Sequence, residues 1–203
     1  MTSTLRGTKK EQKYNLILGV SERLMREKGL YSLNMDEVSQ ASGLAKGTLY
    51  LYFKSKEEIF ATLTLKARVL LLEEFRRAVA QVAEPVEQLG AIITANYTFL
   101  RHNVLYYELV SYYEIDERAS ESPAMAAVIG EIIDLVVAVV VAGQAKGTIT
   151  RDVEAGELAL TMWGMTVGVM QLLRVKFPQG TLHGVPEAAV LANYVRIFQW
   201  GIK

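Results

Sequence analysis

Cysteine is absent from this 203-residue chain, and histidine occurs only twice, at His102 and His183. The first absence excludes a disulfide framework, a thiolate nucleophile and any cysteine metal site, and it removes any reason to expect an oxidising compartment. The second leaves two imidazoles far apart in sequence, which do not make a metal site without another ligand motif. A phosphate-cradling loop, a G-x-S-x-G elbow and an H-E-x-x-H pair are all missing. A helical enzyme is therefore supported by nothing beyond size, and no catalytic residue, metal or cofactor is assigned. Long uncharged runs are lacking too. The most apolar stretch, Ile132 to Ala142, is broken by Asp134 and preceded by Glu131. It falls short of the ~20 residues needed to span a bilayer and reads as a buried helix, with no membrane partner. Met1 to Lys13 is polar and basic with no apolar stretch behind a charged start, which is unlike a secretory signal. A cytoplasmic location is the expectation.

What is present describes a chain that folds. Apolar residues make up 51% and charged residues 22%, close to the globular average, and the length accommodates a small module joined to a larger one. The 22 basic and 22 acidic residues cancel, yet they are not evenly spread. Through Lys56, ten basic side chains stand against five acidic ones, a net of +5 that the rest of the chain offsets with −5. Such separation suggests a nucleic-acid module attached to a part with other business.

The hydrophobic spacing is helical nearly throughout, with no strand, repeat or low-complexity segment. Tyr14, Ile17, Leu18, Ser21, Leu24 and Met25 form one buried stripe that ends near Gly29. Asn34 to Glu37 reads as a capping box, opening a short helix to about Ser42. Gly43 breaks it, and Leu44 to Phe53 forms a second short helix with Leu49, Tyr52 and Phe53 inward. Ser55 to Glu58 reads as another capping box, opening a long helix up to Glu84-Pro85. Further helical segments follow Pro85, with a break near His102-Asn103, a turn at Ser120 to Pro123 and a stop at Gly147. The last two helices, about Val153 to Lys176 and Pro186 to Gly201, are separated by a loop from Pro178 through Gly184.

Two short helices joined at Gly43 inside a basic region match a DNA-reading helix-turn-helix. The second helix must enter a major groove ~12 Å wide, so its early outward positions need small or hydrogen-bonding residues while its back packs on the first. Lys46, Gly47, Thr48 and Tyr50 face outward on this reading, with Lys54 and Lys56 placed for phosphates. Arg6, Lys9, Lys10 and Lys13 form a basic N-terminal tail. The string from Gly43 to Glu58, GLAKGTLYLYFKSKEE, closely resembles the recognition-helix signature of the TetR family of transcriptional regulators, and the likeness extends over about Lys10 to Leu63.

The resemblance implies an all-α protein: an N-terminal three-helix helix-turn-helix domain over residues 1–55, and a larger helical effector-binding and dimerisation domain over residues 56–203. It implies that Lys46, Gly47 and Tyr50 approach bases, that Thr48, Tyr52 and Lys56 touch phosphate, and that Asn34 caps the second helix beside the DNA backbone. This sequence departs from the family at Ala45, where a capping serine or threonine is usual, and at Leu51, where a polar or aromatic residue is frequent. The implied partners are double-stranded DNA with a palindromic operator, a small-molecule effector and a second copy of the chain, with repression as the mode. The alternative is a DNA-binding dimer answering to a protein partner.

For the larger part, Gly164 and Gly168, spaced four, would let another helix approach closely. With Trp163, Val167, Gln171 and Val195 they are the candidate dimer interface, against packing within the chain as the alternative. Ala188, Leu191, Ala192, Val195 and Phe198 give the last helix an apolar stripe to join it. Candidate effector-pocket residues are Tyr97, Tyr106, Tyr113, Met162 and Met165, with Asn96 and Glu108 as polar groups, against a plain hydrophobic core as the alternative.

Overall fold

Thr8 caps the first helix. Its hydroxyl accepts from the Glu11 backbone N–H at 3.2 Å, while the Glu11 carboxylate accepts from the Thr8 N–H at 2.6 Å, a reciprocal box. The structure, a computed structural model, describes residues 8–115 and 120–203, without the side chain of Ile115. It is helical: α1 (Lys9–Lys28), α2 (Met35–Ser42), α3 (Lys46–Tyr52), α4 (Lys56–Ala80), α5 (Pro85–His102), α6 (Val104–Ile115), α7 (Pro123–Lys146), α8 (Ala155–Lys176) and α9 (Glu187–Gly201). A 3-10 turn covers Leu30–Ser32. Among the described residues the chain divides into two units. The first holds residues up to Ala67 with the segment Leu105–Ser122, the second Arg68–Val104 with Pro123–Lys203.

In the first unit, Ile17, Leu24, Met25, Leu49 and Phe53 are buried, as the spacing predicts, while Tyr14, Leu18 and Tyr52 are half-buried; Val38 of α2, which the spacing did not single out, is buried too. Gly43 takes the left-handed conformation at φ 67°, which ends α2 at little steric cost and turns the chain into α3. The caps are looser than the sequence suggests. Asn34 does accept from the Glu37 N–H at 2.8 Å, but the Glu37 carboxylate does not reach back; it pairs with Lys28 of α1 at 2.8 Å. At α4, Glu58 accepts from the Lys54 N–H at 2.6 Å, one residue earlier than a capping box with Ser55 requires. The expected division after residue 55 also falls later, between Ala67 and Arg68, because the first turns of α4 bury Ile59, Phe60 and Leu63 within the first unit. α6 belongs to this unit as well. Tyr106 donates to Glu22 of α1 at 2.9 Å, Lys66 of α4 pairs with the same carboxylate at 2.9 Å, and the Tyr112 ring meets Phe60 and Tyr31. Apolar spacing carries no signal for a helix that rejoins a unit 40 residues upstream.

In the second unit α7 packs on α8, and α5 on α7 and α9. α4 ends at Ala80, short of the expected Glu84, where Gln88 of α5 donates to the Val79 and Val82 carbonyls at 3.2 and 2.8 Å and satisfies the helix end. Two glycines sit where a Cβ would collide: Gly143 against Ile149 and Pro85, and Gly90 against the Gln199 amide. That amide donates to the Val86 carbonyl at 3.1 Å and to Glu87 at 3.2 Å. Tyr194 shares a 2.7 Å hydrogen bond with Thr166 inside the core, and burial raises the tyrosine above its ordinary range. The segment before α9, expected to be loop alone, contains a two-residue antiparallel hairpin, β1 (Thr181–Leu182) with β2 (Val185–Pro186). His183 and Gly184 both have positive φ, the backbone of a tight two-residue turn. α7 and α8 are each long and apolar enough to cross a membrane by length and composition alone. For α7 this is more than the sequence reading allowed, because the helix continues through Glu131 and Asp134.

Candidate nucleic-acid interface

α3 has one face that packs and one that does not. Leu49 and Phe53 are completely or almost completely buried, and Phe53 stacks on Tyr14 of α1 at 5.0 Å between ring centroids. Removing such a side chain typically costs ~2–5 kcal/mol, so these two residues fix the rotation of the helix. What that rotation presents outward is Lys46, Gly47 and Tyr50, all exposed, with Thr48 half-buried at the edge. Asn34, Lys46, Tyr50 and Lys56 line one concavity together with Asp36 and Gln40. The structure therefore brings four of the eight sequence-named DNA residues together from the start of α2, the outer face of α3 and the start of α4. Lys54 is exposed on the turn that leaves α3, and Tyr52 is half-buried beside Phe53. Leu51 is 84% exposed, an apolar side chain with no fold partner on the recognition helix. Ala45 supplies no side-chain cap to α3, as its residue type requires.

Two features of this surface differ from the sequence reading. Lys9, Lys10 and Lys13 are not a tail: the Thr8 cap places them on the first turns of α1, while Arg6 lies outside the described residues. Lys46 is not an isolated cation either. Its ammonium meets the Asp36 carboxylate at 2.5 Å, and this hydrogen bond holds the lysine above its usual range. Sequence reasoning passed over Asp36, whose only signal was a position ten residues before Lys46, across the turn.

The effector candidates are divided between the two units. Tyr106, Glu108 and Tyr113 lie on α6 in the first, where Tyr106 is engaged by Glu22 and Tyr113 packs edge-on to Tyr112 at 5.1 Å. Asn96, Tyr97, Met162 and Met165 lie in the second. Tyr97 donates to Glu187 at 2.8 Å and Arg101 approaches the same carboxylate at 3.6 Å; burial and then Glu187 push the tyrosine upward. Met162 is buried and Met165 exposed. The Asn96 Oδ1 is enclosed with no hydrogen-bond partner among the described residues. The groove between α4 and α5, lined by Arg77, Gln81, Thr94, Thr98 and His102, contains none of these residues.

On α8 the candidate dimer residues Gly164 and Gly168 are exposed, and a Cβ built on either meets nothing within 4 Å. Close packing within the chain therefore does not explain them. Leu160, Met165, Leu172 and Val175 share their exposed side, at spacings that keep them on one helix face. Trp163, Val167, Gln171 and Val195 are half-buried. On α9 the expected stripe is split: Leu191 and Phe198 are core residues, Ala188 and Ala192 are exposed, and the large outward apolar residues are Ile197 and Trp200, which the sequence reading did not select.

Residues 17–63 match the family model of bacterial regulatory proteins, tetR family. The fatty acid metabolism regulator protein of Bacillus subtilis is 28% identical over 97 residues, 47% of this chain and 50% of that one. The chain thus spans about half the length of such curated relatives. Among solved structures, a protein of unknown function from Rhodococcus sp. RHA1 superposes with a TM-score of 0.79 at 18% identity, covering 100% of this chain and 99% of the other. The regulator FadR from Bacillus subtilis, solved in complex with stearoyl-CoA, does so with a TM-score of 0.72 at 17% identity, over 94% of this chain and 100% of that one. These likenesses show the all-α fold, with its helix-turn-helix and larger helical part. The matched segment contains the outward face of α3 with Leu49 and Phe53, which orient it, so the likeness to the tetR family of bacterial regulatory proteins rests on that segment.

Proposed function

We propose that the chain is a transcription regulator that binds a palindromic DNA operator as a homodimer, as a repressor released by a small, mostly apolar effector. Its place of action is the bacterial cytoplasm, where the chromosome lies. One observation carries the DNA reading: Leu49 and Phe53 pin α3 from behind while Lys46, Gly47 and Tyr50 stand outward beside Asn34 and Lys56. That surface offers base-reading positions flanked by phosphate-binding ones. A two-fold site needs a two-fold protein, and the face of α8 around Gly164 and Gly168, with Ile197 and Trp200 of α9, supports pairing of two copies.

The effector reading rests on the second unit. The FadR structure with stearoyl-CoA makes an acyl-CoA thioester the first class to test, and the enclosed Asn96 Oδ1 offers an acceptor to a ligand N–H or O–H. Release from DNA requires the ligand to bind better to a conformation whose recognition helices are wrongly spaced; α4, which runs from the head into the second unit, is the natural lever. The test is titration of a duplex selected by the protein from a randomised pool, with and without stearoyl-CoA. Binding should fall steeply with salt, and ligand and duplex should weaken one another by the same factor. Salt-independent binding overturns the DNA reading. Equal ligand affinity for free and DNA-bound protein overturns induction by this class.

A further inference from the structure

Asp36 puts a negative charge into a surface assigned to a polyanion. Its carboxylate lies on Lys46 at 2.5 Å, with both side chains more than half exposed, inside the concavity that holds Asn34, Tyr50 and Lys56. The fold gains little from this pair, because exposed ion pairs contribute little to stability. A carboxylate in the first turn of α2 suits the helix dipole, but that would hold equally for one turned to solvent, and this one is turned to the recognition helix.

Resting on the DNA-binding reading above, we infer that Asp36 is a specificity-determining residue, which neutralises Lys46 so that this lysine discriminates between base edges without adding general attraction to phosphate. The chemistry follows from the pair. A lysine ammonium has three donors, of which the carboxylate takes one and fixes the direction of the others. The remaining donors suit the two acceptors that guanine shows in the major groove. On a sequence without an acceptor in that place, Lys46 cannot turn to a phosphate without leaving Asp36 uncompensated against the DNA. Wrong sequences are thus penalised by repulsion as well as by a missing contact.

The experiment measures binding of the full chain to two duplexes, one selected from a randomised pool by the wild type and one of mixed sequence, between about 50 and 200 mM salt. Asp36→Asn releases the charge of Lys46. The slope of log K against log salt should steepen by about 0.9 for each head engaged, so that the gain over wild type shrinks roughly threefold to fourfold per head across that range, or about twelvefold with both heads of a dimer engaged. Affinity for the mixed duplex should rise and the ratio between the two duplexes fall. Asp36→Glu, which keeps the charge, should retain the wild-type slope and ratio. Glu27→Gln, on α1, makes the same change in net charge away from the concavity and should leave the ratio unaltered. Equal effects of Asp36→Asn and Glu27→Gln overturn the inference, since total charge would explain both. So does an Asp36→Asn protein that melts like wild type but loses both duplexes, because Asp36 would then be an attractive contact in its own right. Salt-independent binding by the wild type itself would defeat the DNA reading, a result distinct from either.

Discussion

The outward face of α3 and the outward face of α8 are both left uncovered by their own units, and they are built from opposite materials. α3 presents Lys46 and Tyr50, the lysine already held by Asp36, whereas α8 presents Leu160, Met165, Leu172 and Val175 around two glycines. A surface of exposed, paired charge makes and breaks its contacts at small cost, because exposed ion pairs are weak in water. A surface of leucine and methionine gains only by leaving water, at roughly 25 cal/mol for each Å² removed. The first suits reversible recognition, the second lasting association. The same fold supplies both by choosing which helix face to bury.

The comparison breaks most severely if the rotation of α3 is lost. Leu49→Ala should destabilise the first unit by about 2–5 kcal/mol, seen as a lower melting midpoint, and should abolish selective duplex binding; an unchanged midpoint would mean that Leu49 does not fix the helix. For α8, Gly164→Leu fills the stripe while improving helix propensity by up to about 1 kcal/mol. The variant should remain folded by circular dichroism yet sediment as a monomer, with weaker operator binding. A folded variant that stays dimeric places the interface elsewhere. Thr8→Ala removes the α1 cap at a cost of about 1 kcal/mol, and hydrogen exchange should show the first turn fraying, with Lys9, Lys10 and Lys13 loosened. The smallest effect belongs to Glu37. Lys28 holds its carboxyl below the usual range, so whatever the pair contributes is present above the unfolded carboxylate pKa and lost as the pH falls through the depressed one. Glu37→Gln should remove that acid-side dependence from the melting curve and leave the neutral value almost unchanged.

Legibility followed the same division. The stripe from Tyr14 to Met25, the left-handed Gly43 and the burial of Leu49 and Phe53 could be read because local spacing and one turn dictate them. The Asp36–Lys46 pair could not, because it depends on how two helices face across that turn. α6 shows the limit for whole elements. Its apolar positions announce a helix, but nothing local says that Tyr106 and Tyr112 join α1 and α4, and three effector candidates followed it into the first unit. On α9 the sequence shows apolar residues on more than one side, and only packing against α5 decides that Leu191 and Phe198 turn inward while Ile197 and Trp200 turn out.

Gln199 gives α9 a register as well as a partner. Its amide rests over Gly90, where no Cβ intervenes, and is tied to the Val86 carbonyl and the Glu87 carboxylate. A slide of α9 along α5 by one turn, about 5.4 Å, would push that amide off the gap at Gly90 and strand its donors. The helix is therefore indexed, like a bolt in its detent, with Trp200 carried one residue beyond the pin. Any assembly that closes over Ile197 and Trp200 inherits its angle from that single notch.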